Sequence, residues 1–345
     1  MKTKDFYFDL PKEQIAQYPA GRGESRLLVL NRLSGQRHHH TVKELPNFIE
    51  RGSLLVFNDS RVRKARIFGR DSHDKKIEFL LINPVKTPEK WTVIVKKASK
   101  KLGGRFRFAD ETEAELEYDA QNGFMLRFDH AIDDAWLDQH GHIPLPPYIK
   151  RADETVDANR YQTIYARDYG SVAAPTAGLH FSETVLSALK ENGIDTTFIT
   201  LHVGLGTFLP VRSVNIRDHK MHTEFFHIGN EAAAKIETAK KERRKVIAVG
   251  TTTLRAMEAA WHDGALRRGQ QSTDIFIYGD YQFSTADALF TNFHTPESTL
   301  LMLVCAFAGV GRGESAGRKL VMETYREAVE QNYKFFSYGD AMLLL

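Results

Sequence analysis

The chain has 345 residues, 42% hydrophobic and 26% charged, with a formal net charge of +3 at pH 7. That length buries a sizeable core and suits two domains, and the small positive charge permits a nucleic-acid partner without requiring one. A single cysteine, Cys305, excludes an internal disulfide, and the apolar run from Leu300 to Val310 is too short for the ~20 residues of a membrane span.

In chain order, MKTKDFYFDL lacks a signal-peptide apolar region, so the expected location is the cytoplasm. SRLLVLNR, from Ser25, and LLVFND, from Leu54, read as strands of one larger unit, and the consecutive His38, His39 and His40 between them read as a polar turn. From Ile67 to Phe128 the chain runs through short alternating segments, RIFGR, KIEFLLI, WTVIVKK, GRFRF, AELEYD and FMLRFD. Gly103-Gly104 and Asn122-Gly123 supply turns between them. The proline-rich IPLPPYI returns the chain to the larger unit. ADETVDAN, between Arg151 and Arg160, reads as a loop. Beyond Tyr161, strand patterns at 196–203, 246–249 and 275–278 alternate with helical patterns at 231–241, 253–262 and 317–331. The expected fold class is α/β: a large mixed α/β sandwich domain of residues 1–66 and 146–345, carrying an inserted small β-barrel domain of residues 67–145.

Polar sites concentrate where strands give way to turns. GSVAAPTAGLHFSETVLSALKENG, from Gly170, places Gly178 and His180 ahead of Ser182, which caps a helix that stops at Gly193. TLHVGLGTFLPV, from Thr200, holds His202, Gly204 and Gly206, and Gly250-Thr251-Thr252-Thr253 forms a strand-to-helix turn suited to an anionic or hydroxyl-rich group. Neither a Walker A loop nor a G-x-G-x-x-G fingerprint is present, so a nucleoside triphosphate or dinucleotide site has no support. Thr295-Pro296 reads as the cap and first residue of another helix, with Asn292 and His294 just outside it. His219, His222 and Glu224 in HKMHTE could suggest metal, yet no third ligand signature accompanies them, and Cys305 reads as a buried, inert thiol.

Several ordered blocks resemble the S-adenosylmethionine:tRNA ribosyltransferase-isomerases of queuosine biosynthesis. They are FDLPKEQIAQYP, SRLLVL, LLVFNDSRVRKARIFG, IPLPPYIKR, RYQTIYA, HKMHTEFF, AVGTTTLRAME, TNFHTPESTLLMLVCAFAG and FFSYGDAMLL, together with the two strings quoted above. The resemblance runs from end to end and implies the same domain plan. It also implies a reaction in which S-adenosylmethionine donates its ribosyl carbons to 7-aminomethyl-7-deazaguanine at the wobble position of tRNA, and adenine and methionine leave. The sulfonium acidifies the adjacent 5′ C–H bonds, so proton transfer calls for an acid and a base. His180, His222 and Asp59 are the catalytic candidates. Gly178, His202, Gly204, Gly206, Thr251, Thr252, Arg255 and His294 are the substrate-binding candidates. Arg61 and Arg63, just after the Asn58-Asp59-Ser60 turn, are the tRNA-phosphate candidates. No metal or other cofactor is expected besides S-adenosylmethionine as co-substrate, and the chain is expected to be a monomer. Relative to the family pattern, Glu297 replaces a basic residue, Thr295 a leucine, and Gly279-Asp280-Tyr281 a Pro-Gly pair. Two alternatives remain: a small-molecule transferase using S-adenosylmethionine without tRNA, and a metal-dependent hydrolase built on His219 and His222.

Overall fold

The computed structural model describes residues 1–204 and 211–345. It runs β1 (Arg26–Leu30), β2 (Arg37–Thr41), β3 (Leu54–Asn58), β4 (Ser60–Val62), β5 (Arg66–Arg70), β6 (Lys76–Val85), β7 (Thr87–Val95), β8 (Arg105–Arg107), β9 (Glu113–Asp119), β10 (Gly123–Phe128) and α1 (Asp134–His140). There follow α2 (Thr155–Arg160), β11 (Asp168–Ser171), α3 (Glu183–Glu191), β12 (Asp195–Leu201), β13 (Glu224–Ile228), α4 (Asn230–Lys241), β14 (Val246–Val249) and α5 (Thr251–Ala260). The last elements are β15 (Trp261–His262), β16 (Ala265–Leu266), β17 (Gly269–Thr273), β18 (Ala288–Asn292), α6 (Thr299–Ala308), α7 (Glu314–Glu330) and β19 (Ala341–Leu344).

Among the described residues, nine strands form one mixed sheet in the order β17-β13-β12-β3-β14-β18-β19-β1-β2. Its centre, β12-β3-β14-β18, is parallel throughout, while β13, β17 and β2 pair antiparallel toward the edges. Side chains alternate across it as the two-residue period of a strand requires. Leu28, Leu30, Leu289, Met342 and Leu344 share a core with α6 and α7, whereas Leu27, Val29, Phe290, Ala341 and Leu343 face Phe181 and α3. A third cluster joins Leu54, Val56, Ile199 and Leu201 to α4 and α5. With both faces covered, the central strands read as unbroken apolar runs, LLVF in β3 and VIAV in β14. The large unit is thus the mixed α/β layered fold expected from the sequence.

Strands β5 to β10 close on themselves in the order β10-β7-β6-β5-β8-β9 around Phe79, Trp91, Phe106, Phe108 and Phe128. The Asn122-Gly123 turn joins β9 to β10, with Gly123 at φ +77°. At the base of this unit Arg66 and His142 pair as an antiparallel bridge, so the chain leaves the large sheet and returns to it at one place.

Four local expectations are corrected. His38 to His40 lie in β2, the outermost strand, because His39 finds Tyr333 and Glu327 and His40 finds Glu44, which satisfies polar side chains along an edge. Among the described residues Ile275 to Tyr278 pair with no strand; Ile277 is buried, but the strand beside β13 is the polar Gly269–Thr273. Helix α6 begins at Thr299 with Ser298 as its cap, three residues past the expected start, since Ser298 Oγ accepts from the Leu301 N–H at 3.2 Å. Residues 155–160, expected as loop, form α2, whose Asp157 is fully buried and held by both terminal nitrogens of Arg151, at 2.6 and 2.8 Å. Cys305 lies in the buried α6, where desolvation pushes its thiol up. The expected Ser182 cap is present, its Oγ accepting from the Val185 N–H at 3.2 Å.

Candidate active site

The four parallel strands end along one edge, and there polar residues interrupt the apolar pattern: Asp59 after β3, His202 after β12, Gly250 and Thr251 after β14, and Asn292 with His294 at the end of β18. Beyond the carboxyl ends is where an α/β sheet covered on both faces admits a ligand. A cavity of about 220 Å³ opens at this edge, walled by the first turn of α5, by Asn292 to Pro296, and by Tyr148, Phe336 and Ser337.

Two residues with left-handed backbone shape the walls. Gly250 has φ +95°, which a side chain would strain, and its turn starts α5 without a side-chain cap. The Leu254 N–H makes the first helical bond, to the Gly250 carbonyl, so the N–H groups of Thr251 and Thr252 have no helical acceptor, and both residues line the cavity. Phe336 has φ +72°, which costs an L residue about 1–2 kcal/mol. It is held by its N–H donating to the Phe293 carbonyl at 3.1 Å and by its carbonyl accepting from the Gly339 N–H at 3.0 Å. Its ring lies 4.5 Å from that of Tyr148, whose hydroxyl meets Ser337 Oγ.

Asn292 is 97% buried and links these walls. Its Nδ2 donates to the Phe336 carbonyl and to His180 Nε2, each at 3.0 Å. An amide nitrogen that donates to a carbonyl fixes the side-chain orientation, so His180 Nε2 must accept and its proton sits on Nδ1. Burial, and then the positive charges of Arg160 and Arg22, push His180 down to about 3, consistent with a neutral acceptor at physiological pH. His180 therefore stands one residue behind the cavity wall. Asn292 Oδ1 is buried and has no hydrogen-bond partner among the described residues. His294 lines the cavity directly; burial pushes its imidazole down to about 3, with Thr291 Oγ1 and the Tyr325 hydroxyl each 3.4 Å from a ring nitrogen.

The other candidates spread along the edge. Arg255 is one turn into α5, fully buried and ion-paired with Glu224, while its Nε and Nη1 lack partners among the described residues. Gly204 donates to Glu224 Oε1 at 3.2 Å, and Gly206 lies outside the described residues. Gly178 is a packing position: a Cβ there would sit 2.2 Å from the Tyr165 hydroxyl. His202 packs on Gly170, where a Cβ would come within 2.8 Å of Nδ1; burial lowers its pKa and the charge of Asp168 opposes that. Asp59 is buried, accepting from Thr200 Oγ1 at 2.7 Å and from Arg167 Nη2 at 2.6 Å beside a second, more open polar cleft. His222 is exposed in the segment before β13. Its neighbour His219 packs on Phe276, and no group of three His, Cys, Asp or Glu among the described residues is placed to hold a metal. Arg61 is exposed over the Tyr169 ring, whereas Arg63 is half-buried against Trp91 and paired with Asp134. Of the departures from the family pattern, Asp280 caps α7, its Oδ1 accepting from the Glu314 N–H at 2.6 Å, and Glu297 adopts φ +58° in the loop before α6. Sequence reasoning noted Asn292 beside the helix start without giving it a role, and did not single out Phe336. The available signals were a lone amide ending the apolar strand ALFTN and a second aromatic in FFSYGD.

A half-enclosed, mostly apolar cavity at the carboxyl edge of a mixed α/β sheet, with a few polar side chains and a helix start in its walls, has the form of a small-molecule site. The chain belongs to the queuosine biosynthesis protein family, whose model matches residues 3–344. It is 52% identical over 355 residues to the S-adenosylmethionine:tRNA ribosyltransferase-isomerase of Treponema denticola, covering all of both chains. It is 46% identical over 347 residues to the enzyme of that name from Legionella pneumophila strain Corby, again with full coverage of both. The crystal structure of S-adenosylmethionine tRNA ribosyltransferase from Thermotoga maritima superposes with a TM-score of 0.55 at 32% identity, covering 99% of this chain and 100% of that one.

Proposed function

We propose that this chain is an S-adenosylmethionine:tRNA ribosyltransferase-isomerase. It transfers and isomerises the ribosyl moiety of S-adenosylmethionine onto 7-aminomethyl-7-deazaguanine at the tRNA wobble position, giving epoxyqueuosine-tRNA with release of adenine and methionine. The observation that carries this reading is end-to-end similarity at 52% identity to a relative of that name. The cavity supports it, because its aromatic and hydrogen-bonding walls suit the nucleoside end of the co-substrate.

In this reading Thr251, Thr252 and His294 contact S-adenosylmethionine, and Arg255 behind them offers two N–H groups to a carboxylate. His202 and Gly204 stand at the loop beside it, Gly178 supports that edge by its packing against Tyr165, and Gly206 remains a substrate-binding candidate. His180 acts through Asn292. Asp59, beside the second cleft, and His222 remain acid–base candidates for the proton transfers. Residues 1–66 and 146–345 form the catalytic domain and 67–145 the inserted one, a division supported by the Arg66–His142 bridge. Arg61 and Arg63 approach the tRNA backbone. The protein works as a cytoplasmic monomer without metal or other cofactor. No helix among the described residues is long and apolar enough to cross a membrane. Adenine release measured with and without tRNA carrying 7-aminomethyl-7-deazaguanine tests this. Release that depends on that tRNA is expected, and equal release without it points to the small-molecule transferase instead.

A further inference from the structure

Tyr18 is 57% exposed, yet its ring is held in place. The Arg151 guanidinium lies 4.2 Å from the ring centroid on one face, and the Tyr18 hydroxyl donates to Glu154 Oε1 at 3.0 Å. Arg151 is itself fixed, its Nη1 and Nη2 donating to the buried Asp157 at 2.6 and 2.8 Å and its Nε to the Gln17 carbonyl at 3.0 Å. Pro19 restricts the Tyr18 backbone to extended conformations. The second face of the ring is therefore flat, open to solvent and already ordered, so a partner stacking on it costs little conformational entropy.

The same segment is tied to the cavity. Gln17 Nε2 donates to the carbonyl of Tyr148, a cavity-wall residue, at 3.0 Å, and Gln17 Oε1 accepts from the Lys150 N–H at 2.8 Å. Cations gather on it: Lys150 is exposed, Arg160 donates to the Ala20 carbonyl, and Arg22 donates to the carbonyls of Leu179, Asn159 and Gln162. None of the three is ion-paired with a carboxylate among the described residues. Glu154, at the ring edge, repels a phosphate, which leaves the open face to a neutral ring while the cations suit the backbone that carries it. Unpaired nucleotides are held in this way, bases stacking on aromatic rings and cations following the phosphates.

We infer that the open face of Tyr18 stacks an unpaired base of the tRNA loop, the immediate neighbour of the base being modified, with the Arg151 guanidinium behind the ring. This rests on the reading that the chain acts on a tRNA base. Stacking takes any base, because every base has a flat face, so Tyr18 places the loop at the cavity mouth without reading its sequence.

Binding of a stem-loop RNA carrying 7-aminomethyl-7-deazaguanine in its loop, measured with the full chain over a range of salt concentrations, tests the stacking. Tyr18→Ala should weaken binding by about fivefold to a hundredfold, the range for loss of one base–aromatic stack, and leave the salt slope unchanged because no phosphate contact is lost. Tyr18→Phe, which keeps the face, should retain most of the affinity, whereas Tyr18→Leu should behave like Tyr18→Ala. Removing one loop base at a time, as an abasic nucleotide on either side of the modified one, supplies the second arm. One of these RNAs should bind the native chain more weakly by the same factor and bind Tyr18→Ala no more weakly than the intact RNA does, since the two changes remove one contact. Equal affinity of Tyr18→Ala and the native chain, or losses from the abasic nucleotide that are the same in both, overturns the inference while leaving the tRNA reading intact. A native chain that does not bind the stem-loop, and releases adenine equally without RNA, overturns that reading and the inference with it.

Discussion

Acidification from pH 7 to pH 5 should destabilise this protein mainly through two histidines. His180 and His294 are buried and neutral, each pushed from the usual 6.5 to about 3. A histidine with a lowered folded pKa contributes stability that is present above its unfolded pKa and is lost as the pH falls toward the folded one. The loss therefore begins near 6.5 and would be complete near 3. At pH 5 nearly every unfolded molecule carries both protons while the folded one carries neither, which lowers stability by about 2 kcal/mol per histidine, or about 4 for the pair. That is a large share of the ~5–15 kcal/mol that typically separates folded from unfolded chains. His202 and His219, also lowered by burial, add in the same direction, and Asp340, whose carboxyl burial raises, opposes them. The depressed carboxylates, such as Asp157 and Glu117, matter at lower pH, because their unfolded values lie near 4. Urea unfolding at pH 7 and pH 5 measures the loss. His180→Gln should remove about half of the pair's share while leaving stability at pH 7 within about 1 kcal/mol, since Gln can still accept from Asn292. An equal loss between the two pH values in the variant and the native chain would refute the assignment of His180 as a buried neutral group.

Other outcomes follow from named contacts. Arg61→Ala should lower the salt dependence of tRNA binding by about 0.7–0.9 in the log–log slope, with S-adenosylmethionine affinity unchanged; an unaltered slope removes Arg61 from the RNA interface. Arg63→Ala should also reduce stability by freeing Asp134, which urea unfolding detects as a lowered midpoint. Arg255→Met should cost about 3–5 kcal/mol by leaving Glu224 buried beside an apolar side chain, and Glu224→Gln together with Arg255→Met should recover part of that. Gly250→Ala should destabilise by at least about 1 kcal/mol and weaken S-adenosylmethionine binding, because φ +95° suits only glycine. Turnover should persist after exhaustive chelation; activity restored only by an added divalent ion would return HKMHTE to consideration as a metal site.

The architecture was legible where local pattern and tertiary role agree. LLVF and VIAV are apolar without alternation because both sheet faces are covered, and the Ser182 cap and the Asn122-Gly123 turn are set by local chemistry alone. Legibility failed where partners are distant in sequence. His39 is in a strand because Tyr333 and Glu327 lie beside it, and Ile275 to Tyr278 pair with no strand among the described residues although their composition suits one. The site behaves the same way. The α5 turn was readable from Gly250-Thr251-Thr252, a contiguous strand-to-helix signal. The Asn292 junction was not, since it joins residues 180, 292 and 336, and only the folded chain shows that one amide serves both neighbours. Likewise Gly178, a substrate-binding candidate by sequence, makes room for Tyr165 in the fold.

The central claim is that ribosyl carbons pass from S-adenosylmethionine to the tRNA base. Incubating the purified chain with S-adenosylmethionine labelled with carbon-13 in the ribosyl ring and tRNA carrying 7-aminomethyl-7-deazaguanine, followed by digestion and nucleoside mass analysis, tests it most directly. The account predicts epoxyqueuosine that carries the label, formed in equal amount with free adenine and methionine. Labelled methylthio- or hydrolysed ribose products with the tRNA base unchanged, or a modified base without the label, would contradict it.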